Sequence, residues 1–274
     1  MERQLHISRE FAELQERLRA LRTEMVKLIA DRDHLLRTVK PNLEAKYYAT
    51  IGKEQQRLSL LRNDVLRLRR KIELMRASLN RGEKPDLELI EERLDEELQQ
   101  WVEELRELAR RVEWAVDYNR LPRLSAEESR ELRRLYRELV RKLHPDLNET
   151  LPDNFKYLWD RVLTAYRNGD LEELQTLSLL LSEHKEELPP EPSTMEQLVA
   201  DIKKLEQKIR KLLEEISKMQ EQFPFSYQEK LADPAWIAAQ KENIEKQIAE
   251  MERHRQTYQS ILAELGGGEA STVH

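Results

Sequence analysis

MEQLVADIKKLEQKIRKLLEEISKMQEQF, residues 195–223, places Met195, Leu198, Ile202, Leu205, Ile209, Leu212, Ile216, Met219 and Phe223 on alternating three- and four-residue steps. On a helix those steps bring every apolar group to one narrow stripe, the pattern of a coiled-coil seam. The helix would be about 43 Å long at 1.5 Å per residue. A stripe so narrow must be covered by another helix, so the stretch predicts long paired helices rather than one wide core.

The same rhythm recurs on both sides. Downstream, after a corner containing Pro224 and an Asp233-Pro234 helix start, Ile237, Ile244, Ile248, Met251, Tyr258, Leu262 and Leu265 supply a return helix. This predicts a C-terminal coiled-coil hairpin over 188–265, with a disordered tail over 266–274 following the Gly266–Gly268 run. At the other end Phe11, Leu14, Leu18, Leu21, Met25, Leu28, Leu35 and Val39 form a first seam, broken only at Arg32. Pro41 is expected to end or kink that helix, because proline lacks the amide donor and crowds the preceding turn. Leu58, Leu61, Val65, Leu68, Ile72, Met75 and Leu79 resume the heptad up to Gly82 and Pro85, predicting an N-terminal hairpin over 1–82. A third long helix and its connector fill 83–124, with Leu87, Ile90, Leu94, Leu98, Trp101, Leu105, Leu108 and Val112. The fold class is therefore all-α, with long antiparallel coiled-coil helices flanking a shorter central module.

Composition agrees with this reading. Of 274 residues, 39% are hydrophobic and 36% charged, and only six are glycine, a balance suited to elongated helices with thin seams. The absence of cysteine excludes disulfides, thiol catalysis and thiolate zinc sites. His6, His34, His144, His184, His254 and His274 show no ligand spacing, so neither a metal nor a cofactor is expected. No stretch approaches the roughly 20 apolar residues of a membrane span, and no apolar signal-peptide core opens the chain. The simplest expectation is a soluble, cytoplasmic protein. A net charge of −6 argues against blanket nucleic-acid binding.

The central stretch, 125–187, differs from its surroundings. It is bounded by Pro122 and by Pro189, Pro190 and Pro192, and its helices are shorter with wider apolar faces. Ser125 and Glu128 have the spacing of a capping box for a helix running to about Leu143. On that helix Leu132, Leu135, Tyr136, Leu139 and Leu143 share one face, and Arg130, Arg133, Arg134, Arg137 and Arg141 gather on the other. His144-Pro145-Asp146 stops it. Asp153 or Asn154 can cap a second helix carrying Phe155, Leu158, Trp159, Val162, Ala165 and Tyr166. Asn168-Gly169 ends this second helix, and Asp170 with Glu173 has the spacing to cap a third bearing Leu171, Leu174, Leu177 and Leu181.

A basic helix ending Leu-Tyr-Arg-Glu-Leu-Val-Arg-Lys-Leu-His-Pro-Asp, a loop, and a helix with Phe155 and the Ala165-Tyr166 pair together resemble the J-domain family of DnaJ-like co-chaperones over roughly Ser125 to Leu174. The resemblance implies an all-helical module that engages a DnaK-type chaperone and stimulates its ATP hydrolysis. It implies that His144, Pro145 and Asp146 form the stimulating loop, and that Arg133, Arg134, Arg137, Arg141 and Lys142 are docking residues. The tyrosine and glycine signature of the family's first helix is missing between Val112 and Leu124, so the helix Leu87 to Tyr118 is the expected substitute packing partner. No Gly/Phe-rich linker is present.

Two other readings stay open from the residues alone. His144-Pro145-Asp146 also serves as a plain helix-terminating turn, and beside a co-chaperone whose coiled coils bind a client or form a homodimer stands a structural coiled-coil adaptor, its J-like fold no longer stimulating the chaperone. The run Arg67, Arg69, Arg70 and Lys71 could meet nucleic acid, although leucine interleaving also describes a solvated seam flank, and nucleic acid is not the expected partner. Tyr47 and Tyr48 read as packing or partner contacts, and Trp101, Trp114 and Trp236 as core. No carboxylate pair, phosphate loop or nucleophile motif singles out an enzyme.

Overall fold

The computed structural model describes residues 9–148, 153–183 and 194–267, and their regular structure is entirely helical. In chain order the elements are α1 (Arg9–His34), a π-helical turn (Leu35–Val39), α2 (Lys40–Tyr47), a second π turn (Tyr48–Gly52), α3 (Lys53–Asn80), α4 (Leu87–Tyr118), α5 (Ala126–Leu143), α6 (Asp153–Asn168), α7 (Leu171–Glu183), α8 (Met195–Glu221), two short 3₁₀ turns (Phe225–Tyr227 and Lys230–Ala232) and α9 (Pro234–Gly267). The all-α class with long helices is thus established. Residues 149–152, 184–193 and 268–274 lie outside the described residues, as do the side chains of the expected caps Asp153 and Asn154; of the expected disordered tail over 266–274, Gly266 and Gly267 are instead helical, the last turn of α9.

Pro41 neither ends the helix nor turns it back. The turn before it is widened, with the Lys40 N–H bonded to the Leu35 carbonyl five residues back. That spacing relieves the clash between a proline ring and the preceding turn, so helical backbone continues through α2. The second widened turn ends on Gly52, which is buried, and a Cβ there would stand 2.9 Å from Val112 Cγ2. Glycine permits this close approach of α4.

The chain divides into two compact units. The first joins the described residues up to Asn42 to Pro122–Ser226. Within it α8 runs parallel to α1: Leu18 meets Leu198 and Ile202, Arg17 pairs with Glu206, and farther along both helices Met25 and Ile29 share a core with Ile209 and Leu212. The helices α5, α6 and α7 pack around one another on that same core through Tyr136, Leu139, Val162, Ala165, Leu174 and Leu177, all buried.

The second unit takes Leu43–Leu121 with the described residues from Tyr227 onward. Here α4 packs antiparallel on α3, with Met75 beside Ile90 and Leu94, and Ala45 and Tyr48 beside Val112 and Ala115. The helix α9 runs parallel to α3. Ile51, Leu58 and Leu61 share a cluster with Ile244 and Ile248, and ion pairs link Glu54 to Lys241 and Arg57 to Glu252.

The expected hairpins over 1–82 and 188–265 are therefore replaced by other pairings. The seam of α1 is covered by α8, and that of α3 by α4 and α9. A heptad stripe specifies that a partner exists without specifying which one, so the nearest helix in sequence had no privilege. The seam residues themselves hold: Leu198, Ile202, Ile209 and Leu212 are buried on α8, and Leu58, Leu61, Ile72 and Met75 on α3. Two tryptophans correct the core reading. Trp101 is 52% exposed and Trp114 is also exposed, because the buried stripe of α4 advances in four-residue steps through Ile90, Leu94 and Leu98 and leaves Trp101 beside it. Trp236 is partly buried as expected, and Tyr48 is packed edge-on against Tyr47.

Candidate functional site

The site begins with the start of α5. Ser125 Oγ accepts from the Glu128 N–H at 3.2 Å, and a Glu128 carboxylate oxygen accepts from the Ser125 N–H at 2.8 Å, closing the predicted capping box. The apolar face of the helix then buries Leu132, Leu135, Tyr136, Leu139, Val140 and Leu143. Below this face lies a polar contact with α1. The Tyr136 hydroxyl donates to Asp33 Oδ2 at 2.5 Å, Arg32 donates to Asp33 Oδ1 at 2.8 Å, and the Tyr136 ring stacks on Tyr166 with centroids 3.9 Å apart. Asp33 is only 2% exposed, so these donors replace the water it has lost. Burial and the adjacent Asp33 carboxylate push the Tyr136 phenol well above its ordinary range, and burial pushes Tyr166 up to about 12.

From outside the module α5 packs on α1, in a core that holds Met25, Val26, Ile29 and Ala30 of α1 together with Ile209 and Leu212 of α8, whereas Leu87–Tyr118, expected to serve, belongs to the second unit.

At its C-terminus α5 ends on His144, whose backbone is extended as a residue before proline must be. Its N–H still reaches the Val140 carbonyl at 3.0 Å, and its own carbonyl accepts from Leu147 at 3.0 Å and Asn148 at 3.1 Å, closing a turn over Pro145 and Asp146. The Asn148 side chain donates to the Arg141 carbonyl at 3.1 Å, satisfying a helix-end acceptor. The His144 ring is 7% exposed, edge-on to Trp159 with centroids 5.0 Å apart, and its Nδ1 accepts from the Asp146 N–H at 3.1 Å. That bond requires an unprotonated Nδ1. Burial lowers the His144 pKa below its ordinary value, with the Asp146 carboxylate opposing and Arg32 reinforcing the shift. Pro145 and Asp146 are exposed. Asp146 is also met by Lys208 of α8, which donates to its carbonyl at 3.1 Å and to its carboxylate Oδ1 at 3.2 Å.

The five arginines do not present equal charges. Arg133 is partly buried and donates to the Ser129 carbonyl at 3.2 Å. Arg134 is held by Glu131 at 2.7 Å, and Lys142 by Glu138 at 3.1 Å. Arg130, Arg137 and Arg141 are exposed and have no carboxylate partner among the described residues. Of the predicted docking group only Arg137 and Arg141 are thus both exposed and unpaired with a carboxylate among the described residues, and Arg130, outside that group, extends the same stripe away from the loop.

The end of α6 follows the expected pattern, and the start of α7 departs from it. Gly169 takes a left-handed φ of +69°, and the Asp170 N–H bonds back to the Ala165 carbonyl at 2.9 Å. Asp170 Oδ1 caps the Glu173 N–H at 2.9 Å, but the Glu173 carboxylate turns to Arg161 at 2.9 Å instead of completing a box. The Asp170 amide was already engaged, so the box had no donor left. In the second unit the basic run is neutralised locally: Arg67 pairs with Glu91 and Asp95, Arg69 with Glu73, Arg70 with Glu97, and Lys71 with Glu91 at 2.5 Å. Two arginines on Glu97 hold its carboxyl down at about 2.

Sequence reasoning missed Asp33, Asn148 and Lys208. Asp33 had a signal, since it continues the four-residue step from Ile29. The other two depend on the turn geometry and on the placement of α8. Among the described residues no three metal-ligating side chains come together. The arrangement offers a fixed turn with one carboxylate and a neutral imidazole, at the end of a helix with open guanidinium groups. Such a surface is chemically suited to recognition by charge and shape. Compared with known proteins, the chain matches no protein-family model, no curated protein and no solved structure.

Proposed function

We propose that the central module is a J-like co-chaperone element that docks on a DnaK-type chaperone and stimulates its ATP hydrolysis. The observation that carries this reading is the His144-Pro145-Asp146 turn, braced by Trp159 and Asn148 at the end of a helix whose Arg137 and Arg141 are exposed without carboxylate partners among the described residues. Guanidinium groups beside a rigid loop suit an acidic surface, raising the encounter rate and fixing the orientation of docking. The module then acts by biasing its partner's conformational equilibrium, with no bond made or broken by its own residues. On this reading the protein is not itself an enzyme, works in the cytoplasm without a cofactor, and uses its long helices to hold a client or a second copy. The carboxylates around Arg67 to Lys71 leave that run little net charge for nucleic acid.

Single-turnover ATP hydrolysis by a DnaK-type chaperone, with wild type and His144→Gln compared, tests the proposal. Stimulation by the wild type and its loss in the variant is the expected result; equal rates would sink it. One observation favours a second reading. The Asp146 carboxylate is already occupied by Lys208, as it would be in a structural adaptor whose turn only joins two helices. In that case helical partners captured by the full chain are retained when Asp146 is replaced by Asn.

A further inference from the structure

The loop that would meet the chaperone is held from within. Lys208 Nζ grips one residue at two points, the Asp146 carbonyl and the Asp146 carboxylate, at 3.1 and 3.2 Å. Its side chain is 25% exposed, against 49% for that of Asp146. Packing sets its position: Leu198 and Ile202 of α8 are buried with Leu18 of α1, Glu206 pairs with Arg17, and Ile209 and Leu212 enter the core that α5 and α6 share. These anchors fix the register of α8 on α1 and aim Lys208 at the turn. The His144 ring is committed too, to Trp159 and to the Asp146 amide.

We propose that α8 is a latch on the His144-Pro145-Asp146 loop: Lys208 occupies the carboxylate that the chaperone would engage, and docking requires its displacement by a cation of the partner. The proposal rests on the co-chaperone reading and concerns the regulation of the same site. Its chemistry favours exchange. Lysine binds as a point charge, whereas an incoming guanidinium can take both carboxylate oxygens at once. A pair this exposed is weak, shifting an equilibrium by about two- to fivefold, so the latch tunes the concentration at which the loop becomes available rather than sealing it. Salt loosens it further.

The test uses the full chain and a DnaK-type ATPase, with hydrolysis followed over a range of co-chaperone concentrations for wild type, Lys208→Met and Lys208→Arg. Methionine keeps the apolar stem and removes the charge; arginine offers a firmer grip on Asp146. The half-saturating concentration is expected to fall about two- to fivefold for Lys208→Met and to rise for Lys208→Arg, and Asp146→Asn should abolish stimulation in every background. If wild type stimulates, His144→Gln does not, and both Lys208 variants titrate like wild type, the latch is overturned while the co-chaperone reading stands. If no variant and no wild-type protein stimulates, both fall. Should Lys208→Met lose its helical circular dichroism, the opposite-signed Lys208→Arg shift decides.

Discussion

His144 gives the loop a built-in response to acid. Its buried Nδ1 accepts the Asp146 N–H and must stay unprotonated to do so. Burial holds its pKa below the ordinary histidine value, and burial together with Arg133 does the same for His34, whose Nδ1 lies 3.2 Å from the Tyr166 hydroxyl. In the unfolded chain both rings protonate near pH 6.5, so over the window below that value the unfolded state binds more protons than the folded one. The stability these neutral rings contribute is complete above about pH 6.5 and is lost as pH falls toward their depressed folded values, at up to about 1.4 kcal/mol per pH unit for each group. The urea midpoint measured at pH 7.5, 6.5 and 5.5 should therefore drop with acid, and the drop should be shallower in His144→Gln, which keeps an acceptor and has no proton to take. Identical slopes in the two proteins would remove His144 from the account.

At the scale of the helix, α5 was the most legible element, because its cap, apolar face, basic face and stop are all local patterns. The structure refines which charges count. Arg134 is engaged by Glu131 and Glu138, while Arg137 and Arg141 are open. In the co-chaperone reading, Arg137→Ala combined with Arg141→Ala should raise the half-saturating concentration for ATPase stimulation by about tenfold and flatten its salt dependence, whereas Arg134→Ala should change it by less than about twofold. An equal effect of all three would mean that the intramolecular pairs do not persist in solution. Longer elements were legible in kind but not in company. The seams of α1, α3, α8 and α9 were readable from their heptads, yet a stripe of leucines carries no address, so parallel pairing of α1 with α8 and of α3 with α9 was hidden. Pro41 misled for a related reason: the π turn that accommodates it depends on a hydrogen-bond shift that residue identity alone does not announce. Lys208 was beyond reach, since nothing near it in sequence marks it as a partner of a residue 62 positions away.

For the molecule as a whole, the core of the central module is completed by segments remote in sequence. Met25, Val26, Ile29 and Ala30 come from α1, and Ile209 and Leu212 from α8, all buried in the cluster that holds Tyr136, Trp159 and Leu174. Asp33, also from α1, adds a hydrogen bond from the Tyr136 hydroxyl. Burying a side chain of the size of Met, Val, Ile or Leu contributes about 1.5–3 kcal/mol, so removing five of them forfeits about 8–15 kcal/mol, comparable to the entire stability of a typical domain. A fragment spanning 122–183 should therefore keep helical far-ultraviolet circular dichroism but lose its near-ultraviolet signal, bind a hydrophobic dye and unfold without a sharp transition. Cooperative urea unfolding of that fragment, with a near-ultraviolet spectrum like that of the full chain, would show the module to be autonomous. The covering helix lies about a hundred residues upstream, in α1, where the buried face serves α8 at Leu18 and the module at Val26, Ile29 and Ala30; in the co-chaperone reading it stands in for the first helix that the sequence before α5 does not supply.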